Sequence, residues 1–214
     1  MLVAFDFDGT ITDRDSLQDF VRRMRGWGVC LRAYLACVPR LLMPDRGPAR
    51  RQAVKARFLV SALAGLSQAQ LQDLAQIYVQ RHLPRLLRSD MMERLRAHRQ
   101  RGDTVLLVSA SPSLYLDCWA HQEGIVQVLA TELDFDSLGY VCGLKSANCW
   151  GDEKVRRLER WLKQAPVQLD MAYGDSPGDA AMLAHARQPW LRGKNLVLPE
   201  LPANDASRIF ATFS

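Results

Sequence analysis

A short apolar run, Leu2 to Phe5, ends in two acids two positions apart, Asp6 and Asp8, with Phe7 between them and Gly9-Thr10 behind. Consecutive apolar residues without alternation read as a strand buried on both faces, the kind found in parallel sheets. Such sheets bind ligands at the carboxyl ends of their strands. The acids therefore fall where the fold does its chemistry. Two neighbouring carboxylates repel unless a cation or a proton intervenes. Mg²⁺ prefers hard oxygen ligands and keeps waters and phosphate oxygens in its shell, so it is the natural companion. An aspartate can also attack phosphorus and form an aspartyl-phosphate. Asp6 is the candidate nucleophile. Asp8 is the candidate acid that protonates the leaving oxygen and later activates water.

Further strands are expected at Thr104 to Ser109, at Leu169 to Tyr173 and at Asn195 to Leu198, with a short one across Ile125 to Ala130. Helical pattern separates them, which predicts a doubly wound, Rossmann-like α/β core around a parallel sheet. Asp15 to Arg101 reads as helices almost throughout. Pro48 and Gly65 bracket one helix. Ser67 and Gln70 form a capping box for the next, and Ser89 opens another that Gly102 stops. The expected division is a core of residues 1–14 and 88–214 with a small helical cap domain of residues 15–87 inserted in it. Leu133, Phe135, Tyr140, Val141 and Leu144 surround Asp136 to Gly139, a β-hairpin pattern.

Asp6 to Thr10 resembles the first motif of the haloacid dehalogenase superfamily, and three further motifs stand in the order that family shows. Leu106 to Ser111 is similar to the second, in which a hydroxyl at a strand end holds phosphate oxygens. Alignment on the strand end favours Ser109, with Ser111 as the alternative. Lys154 matches the third. It lies in the first turn of an expected helix, where the helix dipole opposes a cation, so a phosphate in front would give it a reason. Tyr173 to Asp179 resembles the fourth. There Asp175 would ligate Mg²⁺, and Asp179 would hold metal waters or the loop. Gly174 and Gly178 would permit a tight backbone path. The resemblance implies Mg²⁺ on Asp6, the Asp8 carbonyl and Asp175, with Ser109 and Lys154 clamping the phosphoryl group. The helical insertion is similar to that of the branch containing phosphoserine phosphatase, where a helical cap closes over the site. Ser109 to Pro112 and Asn148 to Val155 resemble more closely the hydrolases related to phosphatidylglycerophosphatase C.

Some positions depart from the pattern. Asp15 stands where phosphoserine phosphatases carry a cap glutamate, and Arg57 is not clearly in register with their arginine. Gly178 stands where the family often has Asn. The implied activity is phosphomonoester hydrolysis of a small-molecule or lipid phosphate. A phosphotransferase would keep every residue named, a retired binding protein would have lost some, and a dehalogenase would not need Asp8.

Hydrophobic content of 48% and charged content of 24% are ordinary for a globular chain. Five cysteines, an odd number without a CxxC pair, argue against a disulfide framework or zinc site, and imply a reducing cytoplasm. No secretory signal pattern opens the sequence. Gly26 to Pro44 is apolar but interrupted by Arg32 and Arg40, which suits an amphipathic helix better than a membrane span. Residues 22–57 hold ten basic residues against Asp45 alone. Two readings stand. The interleaved apolar residues, Trp27 to Met43, form the cap core under a solvated arginine face, or the segment rests peripherally on an anionic membrane. No recognition motif for nucleic acid accompanies the charge.

Overall fold

The computed structural model describes residues 1–41, 47–125 and 127–201. Its elements run β1 (Leu2–Phe5), α1 (Ser16–Arg25), α2 (Trp27–Leu41), α3 (Pro48–Leu63), α4 (Gln68–Arg81), α5 (Ser89–Gln100), β2 (Thr104–Pro112), α6 (Ser113–Gln122), β3 (Gln127–Thr131), β4 (Leu133–Phe135), β5 (Val141–Leu144), α7 (Asp152–Leu162), β6 (Leu169–Gly174), α8 (Ala180–Ala184) and β7 (Ala186–Leu191). Five strands make one parallel sheet in the order β3-β2-β1-β6-β7, so β1 stands at its centre.

Alternation across the strands creates two cores. Val3, Phe5, Leu107 and Tyr173 share a core with Leu95 of α5 and Trp119 of α6. Ala4, Leu106, Val108 and Ala172 share the other with Leu158 of α7 and Met182 of α8. Helices thus cover both faces, as expected of a doubly wound core. The antiparallel hairpin β4–β5 forms as its sequence predicts, with Gly139 at φ 79° in the turn.

Helices α1 to α4 are inserted between β1 and β2. Asp15 caps α1 by accepting from the Gln18 amide, and Ser67 with Gln70 closes the capping box of α4. Phe20 of α1, Tyr78 of α4 and Tyr115 of α6 form an aromatic triangle with ring centroids 5.2–5.5 Å apart, which fastens the insertion to the core.

Three sequence expectations change. The fifth strand is Ala186–Leu191, not Asn195 to Leu198, where Leu196 is 98% exposed. β7 is an edge strand, so it tolerates Pro189 and a polar outer face that obscure the usual strand pattern. β3 begins two residues after Ile125, whose amide instead ends the α6 turn by donating a hydrogen bond to the Ala120 carbonyl. In α2 the inward residues are the small ones, Cys30, Ala33 and Cys37. Trp27, Leu31, Tyr34, Leu35 and Val38 face outward, so they do not form a cap core. Leu42, Met43 and Arg46 lie outside the described residues.

Candidate active site

Register brings the motifs together. Phe5 lies beside Leu107 on β2 and Tyr173 on β6. The residues that follow, Asp6, Ser109 and Asp175, therefore emerge at one edge, the carboxyl end of the three central strands. The Asp6 amide donates to the Tyr173 carbonyl at 2.9 Å, extending the ladder one step into the site. Phe7 turns inward onto Trp119, with centroids 4.9 Å apart. This reversal leaves Asp6 and Asp8 directed at the opening. At Gly9 the backbone has φ +80°, and a Cβ there would stand 2.0 Å from Asp175 Oδ2. Glycine is needed on both counts.

Lys154 organises the acids. It comes from the first turn of α7, yet its side chain is 1% exposed. Its Nζ donates to Asp6 Oδ1 and Asp179 Oδ1, each at 2.5 Å, and to the Val108 carbonyl at 2.8 Å. All three ammonium hydrogens have acceptors. The other oxygen of Asp179 accepts from the Asp175 amide at 3.2 Å and from the amide and hydroxyl of Ser176, both at 3.0 Å. Asp179 thus ties the β6 loop to Lys154.

Asp8 faces a different set of donors. Its carboxylate accepts from the Ser16 amide at 2.9 Å and from the Ser111 hydroxyl. Ser109, 1% exposed, lines the pocket and accepts the Ser111 amide at 3.1 Å. The two serines thus divide: Ser109 opens to the cavity, and Ser111 is engaged with Asp8.

Burial pushes the Asp6 carboxyl up to about 7, against Lys154, with Asp179 and Asp8 adding to the rise. Burial and Asp179 also push Asp175 above the usual carboxylate range. Burial alone would lower Lys154, but Asp6 and Asp179 win and hold its ammonium above the ordinary lysine range. The site is short of positive charge even with Lys154 in place. Asp6, Asp175 and Asp179 each present an oxygen within 4.8 Å of the others. An all-oxygen donor set with excess negative charge fits a hard divalent cation such as Mg²⁺.

A cavity of about 580 Å³ opens above these groups, between the insertion and the sheet. Its walls include residues that sequence reasoning passed over. Lys55 of α3 reaches across to donate to the Ala110 carbonyl, and burial pulls its ammonium down while Asp8 and Asp15 oppose. Arg51, one turn earlier, lies over the Trp150 ring at 4.2 Å. Nothing in the linear pattern places residue 55 beside residue 110. Trp150 lies within Asn148 to Val155, but no local signal there marks Arg51 as its partner. Arg57 is exposed and does not line this cavity. Gly174 and Gly178 are needed for space rather than for a left-handed turn: a Cβ on Gly174 would stand 2.6 Å from the Asp179 Cβ, and one on Gly178 2.3 Å from Trp150 Nε1. The departure from Asn at 178 is thereby explained.

A sequence model described as haloacid dehalogenase-like hydrolase matches residues 3–184. Protein CicA of Caulobacter vibrioides is 35% identical over 197 residues, covering 90% of this chain and 86% of that one. A protein of unknown function from Bordetella pertussis Tohama I shares the fold with a TM-score of 0.70 at 21% identity, over 88% of this chain and 87% of that one. A substrate-bound phosphoserine phosphatase shares it with a TM-score of 0.60 at 16% identity, over 89% and 84%.

Proposed function

The chain belongs to the haloacid dehalogenase-like hydrolases, and from that premise we propose that it is a Mg²⁺-dependent phosphomonoester hydrolase working through an aspartyl-phosphate on Asp6. The observation that carries the reading is the buried Lys154 ammonium, which joins Asp6 to Asp179 at the carboxyl ends of β1 and β6. A cation so placed lowers the repulsion between Asp6 and an incoming phosphoryl group, and phosphoryl transfer is catalysed mainly by positioning and electrostatics.

The residues divide the work as follows. Asp6 attacks phosphorus. Asp8, held by Ser16 and Ser111, protonates the leaving oxygen and then takes a proton from the hydrolytic water. Ser109 donates to a phosphoryl oxygen. Lys154 neutralises charge between Asp6 and the phosphoryl group. Asp6, Asp175 and the Asp8 carbonyl would hold Mg²⁺, which supplies charge neutralisation on the phosphoryl oxygens. Asp179 supports them by fixing the loop and Lys154. The insertion, residues 15–87, acts as the cap that excludes water and selects the leaving group. The substrate is a phosphorylated small molecule or a lipid phosphate.

Phosphate release from a panel of esters tests the reading: an aryl phosphate, phosphoserine, histidinol phosphate and a dispersed lipid phosphate, each with and without Mg²⁺. Release that depends on Mg²⁺ and disappears in Asp6→Asn is expected. Folded wild type that releases nothing from any ester with Mg²⁺ present overturns it, and transfer to an added alcohol would move the assignment to a phosphotransferase.

A further inference from the structure

Five exposed apolar side chains stand on the outward face of α2. Trp27 is 71% exposed, Leu31 60%, Leu35 59%, and Tyr34 and Val38 42% each. Their spacing, at i, i+4, i+7, i+8 and i+11, puts them on one stripe of the helix. The inward side of the same helix is already filled by Cys30, Ala33 and Cys37. Large apolar surfaces of this kind mark an interaction site.

Three observations specify the occupant. The first is charge. Lys55 and Arg51 of α3 are turned to the cavity and to Trp150, so the charge at the stripe comes from the arginines beside it. The Arg22 guanidinium sits 5.2 Å over the Trp27 ring, at the edge of the stripe, and Arg32 and Arg40 are exposed on the same helix. An apolar face rimmed by arginine matches a surface that is apolar beneath and negative on top. The second is length. The 15 residues of α2 span about 22 Å, short of the ~30 Å hydrocarbon core of a bilayer. Among the described residues no helix is long and apolar enough to cross a membrane. The third is continuity. Tyr34 belongs both to the stripe and to the wall of the cavity, where it packs on Phe58 with centroids 4.9 Å apart. Cys37, Val54 and Leu17 line the same cavity as Asp6. Tyr34 thus joins the stripe to the cavity that holds the candidate nucleophile.

We propose that α2 docks flat on an anionic lipid bilayer and that the cavity receives a phosphate monoester borne by that bilayer. The second half rests on the phosphatase reading; the docking does not.

The experiment uses the full chain and vesicles of two compositions, phosphatidylcholine alone and phosphatidylcholine mixed with phosphatidylglycerol. The protein is expected to float with the mixed vesicles at low salt, and to lose that binding at high salt and on phosphatidylcholine alone. The variant Trp27→Gln/Leu31→Gln/Leu35→Gln keeps the helix and the inner face. It is expected to lose at least ~10-fold in vesicle binding. Its rate on a soluble aryl phosphate stays at the wild-type level, while its rate on phosphatidic acid in mixed vesicles falls by a similar factor. Failure of folded wild type to float with anionic vesicles overturns the docking. So does a wild-type dimer that the triple variant converts to monomer in light scattering without either protein floating, since the stripe would then join two copies of the chain. Flotation without hydrolysis of any ester, aryl phosphate included, upholds the docking and overturns the phosphatase reading instead.

Discussion

Replacing Lys154 with methionine separates structural from chemical roles in one residue. Methionine fills most of the same volume without charge. The change leaves Asp6 and Asp179, 8% and 1% exposed at the side chain, facing each other without their shared cation. Breaking a buried ion pair by removing one partner costs about 3–5 kcal/mol. Burial already pushes the Asp6 carboxyl up to about 7 with Lys154 present. Without it, burial acts unopposed and Asp6 takes up a proton at neutral pH, which holds the loss toward the lower end. At about 2–4 °C per kcal/mol for a chain of this size, a loss near 3 kcal/mol should lower melting in EDTA by ~6–12 °C. Mg²⁺ at a hundred times its dissociation constant should restore about 2.7 kcal/mol. Activity should not follow. Loss of one preorganised charge-stabilising group lowers kcat by about 10²–10³, and saturating Mg²⁺ leaves that deficit in place. Thermal unfolding in EDTA and in Mg²⁺, paired with phosphate release, measures both. A stability loss below about 1 kcal/mol in EDTA would refute the claim that Lys154 is the internal counter-ion. Full recovery of turnover by Mg²⁺ would refute its role at the phosphoryl group.

Gly9→Ala should force Asp175 to shift, because the new Cβ would lie 2.0 Å from its carboxylate. A displacement near 1 Å costs about 10²-fold in rate, so a Mg²⁺ titration of phosphate release should show weakened activation; unchanged activation sinks the assignment of Asp175 as a ligand. Gly178→Asn should displace Trp150 and release Arg51 from its ring, with an overpacking cost of about 1–3 kcal/mol readable by urea unfolding. An equally stable variant would show that the Trp150 contact is not the reason for glycine. The third concerns acid. His98 is fully buried, with its Nδ1 2.8 Å from Asp103 and its Nε2 2.9 Å from the Tyr173 hydroxyl. Burial holds His98 below the ordinary histidine range, although Asp103 opposes. A group depressed in the folded state destabilises the fold as pH falls through its unfolded value, about 6.5. Asp103, held low by His98 and the N-terminal ammonium against its own burial, adds a second loss below about 4. The raised Asp6 carboxyl acts in the opposite sense over the same range, so the comparison is between two proteins: from pH 7 to 5 the urea midpoint of the wild type should fall more, or rise less, than that of His98→Gln, and equal slopes contradict the argument.

The central strand and its acids were legible because burial on both faces writes an uninterrupted apolar run, and Asp6 and Asp8 end it. The helical insertion and the hairpin were legible for similar reasons: Ser67 with Gln70, and the turn around Gly139, are local signals that no distant contact overrides. β7 was not, since a half-exposed edge strand containing Pro189 has no pattern to display. The orientation of α2 was also hidden. Its sequence is apolar around most of the helix, so periodicity alone could not say that cysteines and alanine face in while tryptophan and leucines face out. Lys154 could be singled out because its position in a first helical turn lacked a local reason. Lys55 could not, because what gives it meaning is a carbonyl 55 residues away.

The sheet order also sets a timetable for synthesis. β1 is made first, yet its neighbours are β2 and β6, and β6 ends at Gly174. Domains tend to fold as units while the chain emerges N-terminus first. Until most of this one has left the ribosome, one edge of the earliest strand stays open, and Asp6 waits for a lysine 148 residues downstream. An unpaired apolar strand edge invites pairing with other chains. A chain released before β6 would thus combine a sticky edge with an unneutralised acidic cluster. That exposure lasts for the whole interval in which β1 has only β2 beside it.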